Sequence, residues 1–274
     1  MKFSKKSAYG CLSIILLILI VVFISQEKIF TSKADEKDIN LGVQLEEKEE
    51  NRLENEEENK NTDEEIVDNS QELERLLNIK NDPLMILVNR ENNLDSNYEP
   101  GDLVYSEIDF ISYIESRCLV KAAANAAKEM FQAAAKEGII LLGASGYRSY
   151  EIQENLYNSR VVTEGQEEAD KYTAKPGQSE HQLGLAIDIL SEDYQIMDDN
   201  FDQTQAYKWL KENCYKYGFI LRYLEEKEDI TGFLYEPWHY RYIGNSEVAK
   251  EIMDKNLTFE EYIEELNRKI ESLN

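Results

Sequence analysis

Histidine is nearly absent: His181 and His239 are the only two in 274 residues. Chemistry built on imidazole must use these two or none. Cysteine is also scarce. Cys11, Cys118 and Cys214 form no CxxC pair, so a cysteine-based zinc site has no support. Cys118 and Cys214 are expected as buried free thiols, since cysteine packs as a small core residue. A disulfide between them is the alternative if the domain lies outside the cytoplasm. Positive charge is short as well, with 30 Lys and Arg against 55 Asp and Glu and a net charge of -25. Nucleic acid is thereby set aside as a partner, because its binding needs basic patches. No internal repeat is apparent.

What is present divides into three parts: 1–34, 35–78 and 79–274. The first opens with Lys2, Lys5 and Lys6 and continues into an apolar run from Leu12 to Ile24. With its flanks the run approaches the roughly 17 residues that span a bilayer. Basic residues ahead of it favour an N-in signal anchor with the remainder exported. The competing reading is a cleaved secretory signal, with Ser32-Lys33-Ala34 as a weak cleavage site far beyond the run. Both place the rest of the chain outside the cytoplasm.

Residues 35–75 hold 17 acidic and 5 basic side chains, about half of the net charge. Apolar residues there are too few to offset the entropy of ordering them. The segment is expected as a disordered, self-repelling tether. The alternative is a partly helical acidic stretch without a role.

Order is expected from about Pro83, with Leu84–Val88 as a short strand and 98–102 as a turn. A helix is predicted over about 116–137, rich in good helix formers and closed by Gly138. Strands follow at 139–142, 183–190, 219–222 and within 235–243. Helices are predicted at 150–161 and 202–217. Thr258 and Glu261 form a capping box that opens a last helix. Helices and strands mix without a βαβ period, so the fold class is α+β.

Each histidine sits in a polar, glycine-containing segment or beside one. The first reads SEHQLGLAID, from Ser179 to Asp188; the second reads EPWHYR, from Glu236 to Arg241. An open zinc site needs three protein ligands and one water, and nitrogen and carboxylate donors suit it. His181, Asp188 and His239 offer two nitrogens and one oxygen. Asp188 stands in an apolar strand and needs a partner there, which a metal or a neighbouring turn could be. His239, taken singly, reads equally as a packed core residue. Glu236 is placed to serve as a base, provided that Pro237 turns the chain and brings it to the side of His239. Arg148, within SGYRS, suits a carboxylate or an oxyanion, although an isolated arginine usually pairs with surface acids. Gln153 lies five residues further on.

Together these segments resemble the VanY-type D-alanyl-D-alanine carboxypeptidases, zinc peptidases of the hedgehog/DD-peptidase fold. SGYRS, SEHQLGLAID and EPWHYR match the family's three motifs in order, and the likeness spans about 83–256. The resemblance implies a single domain with a small antiparallel sheet flanked by helices. It implies one zinc held by His181, Asp188 and His239, with Glu236 as base and acid and Arg148 at the substrate carboxylate or the tetrahedral intermediate. Gln153, Ser179, Trp238 and Arg241 are expected to bind substrate or shape its pocket. The implied reaction removes the terminal D-alanine from a peptidoglycan stem peptide. L,D-carboxypeptidase activity on tetrapeptide stems and a non-catalytic wall-binding module stay open, as do the oligomeric state and a role in antibiotic resistance.

Overall fold

The structure, a computed structural model, describes residues 69–274 except Tyr113 and Glu115. The apolar run at 12–24 and the expected tether up to residue 68 lie outside the described residues. No helix among the described residues is long and apolar enough to cross a membrane.

Helix α1 covers 69–80 and buries Leu76 and Ile79. It takes in the last ten residues of the expected 35–78 spacer, which are helical rather than disordered. The predicted strand at Leu84–Val88 is absent. Pro83 instead starts a 3-10 turn, Pro83–Met85, whose first N–H groups are met by Asp82: its Oδ1 accepts from Leu84 N at 2.8 Å.

Strands β1 (Leu103–Tyr105) and β2 (Cys118–Val120) form a two-stranded antiparallel sheet in which Leu103 faces Val120. Helix α2 (Lys121–Lys136) therefore starts at 121 rather than 116, because sheet pairing claims the three residues before it. Its buried residues Ala123, Ala127, Met130, Phe131 and Ala134 recur at helical spacing. Strand β3 (Leu141–Ser145) lies a little later than expected. Helices α3 (Tyr150–Glu164) and α4 (Gln166–Tyr172) follow, and α4 was not anticipated.

A 3-10 turn, Glu180–Leu183, then precedes β4 (Ala186–Ser191), every residue of which is buried. Helix α5 (Gln205–Asn213) is shorter than predicted, because 3-10 turns occupy both of its flanks. Strand β5 (Phe219–Leu221), the short helix α6 (Glu228–Thr231) and strand β6 (His239–Tyr242) come next. Helix α7 (Ser246–Lys255), capped by Asn245, was missed from sequence. Helix α8 (Phe259–Leu273) opens on the predicted capping box of Thr258 and Glu261.

The second sheet runs β3-β4-β6-β5, antiparallel throughout. It separates two apolar layers. Phe219 and Leu221 point toward α2 and α5, whereas Ile220 between them joins Ile243, Ile252, Phe259 and Leu266 on the side of α1, α7 and α8. This alternation is the period of two that a strand imposes. The fold is thus α+β, as expected.

Gly184 links the 3-10 turn to β4 with φ +68, a left-handed conformation that costs other residues roughly 1–2 kcal/mol. A Cβ there would also stand 2.9 Å from Leu103 Cδ2. Gly184→Ala is therefore expected to destabilise by at least about 1 kcal/mol. Thermal unfolding checks this, and an unchanged Tm would refute it.

Candidate metal centre and active site

Strand β4 is central in the sheet, and Asp188 is its pivot. Asp188 pairs with His239 of β6 on one side and with Ser145 of β3 on the other. Directly paired residues share a face, so both neighbours present their side chains beside this carboxylate. His181 comes from the 3-10 turn just before β4. Gly146 holds that turn close: its carbonyl lies 2.8 Å from His181 Nδ1.

His181 Nε2 lies 3.3 Å from Asp188 Oδ2, and His239 Nδ1 lies 3.0 Å from Asp188 Oδ1. The two imidazoles stand edge to face, with centroids 5.0 Å apart. One donor atom from each of His181, Asp188 and His239 falls within 4.8 Å of the others, and all three residues are buried. Two nitrogens and one oxygen at this separation fit a zinc ion that keeps a position open for water. The electrostatics fit as well. Burial opposes charge on His239, yet hydrogen bonds to Asp188 and Glu180 and the nearby Glu236 hold its imidazole up at about 9. The site attracts positive charge. His181 goes the other way, lowered first by burial and also by Arg148.

Glu236 reaches the site as its sequence suggested. His239 N donates to Glu236 O at 3.1 Å, closing a turn with Pro237 in its second position. The turn places Glu236 Oε2 3.7 Å from His239 Nδ1. Burial first, and then the Asp188 carboxylate, push the Glu236 carboxyl up to about 7 against the pull of His239 and Arg148.

Arg148 N donates to His181 O at 3.1 Å. Its guanidinium donates to Gln153 Oε1 at 2.8 Å and to Ser145 Oγ at 3.3 Å. Burial lowers its basicity, and the carboxylates of Asp188 and Glu236 partly restore it. Gln153 is 1% exposed and is itself fixed, donating to Ala174 O at 2.6 Å. Ser179 is buried immediately before the turn that carries His181. Trp238 is half-buried against the main core.

Arg241 departs from expectation, because it is fully buried. Its guanidinium donates to Glu180 Oε1 and to the carbonyls of Leu84 and Ile86, each at 2.8 Å. It fastens the segment before β1 to the back of the site, and its burial keeps it from substrate. Sequence reasoning also passed over Glu180 and Arg222. Both are fully or almost fully buried, and Arg222 Nε donates to Glu180 Oε1 at 2.9 Å. A usable signal existed: arginines in the apolar strands FILR and HYRY demand a buried acid, and Glu180 lies beside His181. Cys118 and Cys214 are free thiols, and burial pushes Cys214 up to about 12.

Comparison with known proteins agrees with this geometry. The family model for VanY, D-alanyl-D-alanine carboxypeptidase, matches residues 116–245. The putative carboxypeptidase YodJ of Bacillus subtilis is 45% identical over 199 residues, covering 72% of each chain. The solved LdcB LD-carboxypeptidase superposes with a TM-score of 0.63 at 46% identity, covering 68% of this chain and 87% of that one. The vancomycin-resistance D,D-pentapeptidase VanY, solved as a point mutant in complex with Zn(II), gives 0.53 at 35% identity and coverages of 65% and 98%. The chain belongs to the VanY family of D-alanyl-D-alanine carboxypeptidases and is a zinc-dependent peptidase.

Proposed function

We propose that the chain removes the C-terminal D-alanine from peptidoglycan stem peptides by cutting a D-Ala–D-Ala bond. The observation that carries this reading is the convergence of the His181, Asp188 and His239 donors within 4.8 Å, with Glu236 and Arg148 beside them. Zinc, when bound by these three residues, supplies a Lewis acid that polarises the scissile carbonyl and acidifies water.

The remaining chemistry belongs to side chains. Glu236 takes a proton at its carboxylate and returns it to the leaving amine. A carboxyl raised to about 7 is matched to that exchange near neutral pH. Arg148, locked by Gln153 and Ser145, offers its remaining N–H groups to the terminal carboxylate of the substrate. Recognition of a free carboxylate makes the enzyme a carboxypeptidase rather than an endopeptidase. We further infer an extracytoplasmic domain held by the segment at 12–24, which the basic residues ahead of the apolar run support. The substrate lies on that side.

One observation favours a second reading. LdcB, whose name declares an LD-carboxypeptidase, has higher identity and a higher TM-score than VanY. The corresponding bond in a wall peptide is the one that ends a tetrapeptide stem. Incubating the protein with pentapeptide and tetrapeptide stems and weighing the products separates the two. A larger kcat/KM on the pentapeptide supports the D,D bond, and a larger value on the tetrapeptide replaces it with the L,D bond.

Glu236→Gln is expected to bind zinc normally and to lose roughly 10²–10⁴-fold in kcat. An unchanged rate would leave a wall-binding module as the better account. Zinc content should be about one per chain, lost on replacing His181 or His239 with Ala.

The charge state of His239 generates a further expectation. With its imidazole raised to about 9, it is protonated at about pH 7.5, and a metal must displace that proton. His181, lowered, is already neutral. Zinc binding is thus expected to release about one proton per chain at about pH 7.5, and affinity should rise with pH until about 9. Calorimetry in buffers of different ionisation enthalpy measures the release; no release would contradict the charge assignment.

A further inference from the structure

His239 shows a carboxylate to each of its ring nitrogens. Nδ1 faces the site, 3.0 Å from Asp188 Oδ1 and 3.7 Å from Glu236 Oε2. Nε2 faces backward, 3.4 Å from Glu180 Oε2, at the long end of the hydrogen-bond range. Glu180 is 1% exposed, so its orientation is set by partners rather than by water. Oε1 accepts from both Arg222 Nε and Arg241 Nη1. That leaves Oε2 for the imidazole. Arg222 in turn reaches Glu260 of α8 through Nη1 and Nη2, at 2.8 and 2.7 Å, and Asn89 Nδ2 donates to the same carboxylate at 3.1 Å. The Tyr223 ring lies 4.8 Å from the His239 ring, centroid to centroid.

His181 is held in the opposite sense. Its Nδ1 lies 2.8 Å from Gly146 O. A carbonyl can only accept, so Nδ1 carries the hydrogen and Nε2 is left for a metal. The same logic at His239 needs a hydrogen on Nε2 and an acceptor to keep it there. Among the described contacts of Nε2, Glu180 supplies that acceptor.

We propose that Glu180 is a positioning residue of the metal centre: it holds the Nε2–H of His239 and so aims Nδ1 at the zinc. The inference rests on the zinc reading above. A carboxylate behind a metal-bound imidazole fixes the ring and its tautomer and raises ligand basicity. The two histidines then ligate through opposite nitrogens, one backed by a neutral carbonyl and the other by a charge. The competing account is that Glu180 only neutralises two buried arginines.

Two histidines make the test clean. The full chain, labelled with ¹⁵N-histidine and loaded with zinc, is expected to give one imidazole protonated at Nε2 and one at Nδ1. In Glu180→Gln, zinc affinity measured by chelator competition should fall about 10- to 100-fold, and the His239 Nε2 resonance should move while those of His181 stay. Glu260→Gln disturbs the same arginine network without touching His239. It is expected to lower Tm and keep wild-type zinc affinity. Wild-type affinity and unmoved His239 signals in Glu180→Gln overturn the proposal, and so does an equal loss of zinc in Glu260→Gln.

If Glu180→Gln fails to fold, Glu180→Asp keeps the charge for the arginines but withdraws the oxygen from His239. A folded Glu180→Asp with weakened zinc and a moved Nε2 resonance supports the role, and one that binds like wild type overturns it. A wild-type chain that binds no zinc sinks the functional reading itself. A zinc-loaded wild type beside an equally tight Glu180 variant removes only the role of Glu180.

Discussion

Asp188 pairs across β4 with His239 on one side and with Ser145 on the other, and the approach of His239 to Asp188 at the metal centre follows from that register. Side chains alternate along a strand, so a slip of one residue would turn Asp188 or His239 to the opposite face. The register is itself held from both sides. Ile187 and Ile189 are fully buried between the sheet and its covering helices. A single bulge between Gly143 and Ser145 lets β3 leave the sheet where the chain must turn toward Arg148. The apolar layers thus fix the sheet, and the sheet fixes the donors.

The same region carries an unusual density of buried charge. Glu180, Arg222 and Arg241 are at most 1% exposed, and Glu260 completes the chain from helix α8. Such a network is weak evidence for stability as a whole, since desolvation offsets attraction. Removing one member, however, strands its partner at a cost of about 3–5 kcal/mol. Its placement explains why it persists. Arg241 ties the segment after α1 to the back of the site, and Arg222 ties α8 to it. Both meet at the carboxylate behind His239. The last helix and the segment between α1 and β1 are thereby joined to the metal centre through two arginine side chains.

Much of the site was legible in the sequence because its residues are local in three short motifs. SEHQLGLAID carries two of the three converging donors, EPWHYR carries the third with Glu236, and SGYRS carries Arg148. Pro237 announced the turn that brings Glu236 and His239 together. Helix ends were readable where chemistry marks them, as at Gly138 and at the capping box of Thr258. What stayed hidden depends on distant partners. The apolar run Leu84–Val88 looks like a strand, but the carbonyls of Leu84 and Ile86 are taken by Arg241, 157 and 155 residues away. Strand β2 lies inside a strongly helical stretch and exists only because β1 pairs with it. Leu183 looked like the start of β4, yet it closes a 3-10 turn from Glu180, and in that turn His181 O accepts from Arg148 N. Glu180 and Arg222 were overlooked because they meet across 42 residues of sequence, although an arginine beside an apolar strand already asks for a buried acid.

Between Ser149 and Thr173 the chain leaves the sheet as α3 and α4, and most of its side chains there face water. Gln153 is buried, held between Arg148 and Ala174, and so are Ala169 and Thr173. The excursion begins after the last residue of β3 and returns before the turn of His181, so its length bears on neither strand register. Loops of this kind absorb insertions and deletions far more readily than the elements they join. The fold therefore separates what must stay constant from what is free to drift. The metal donors are written into the sheet and the turns beside it, while the excursion through α3 and α4 can change in length without disturbing them.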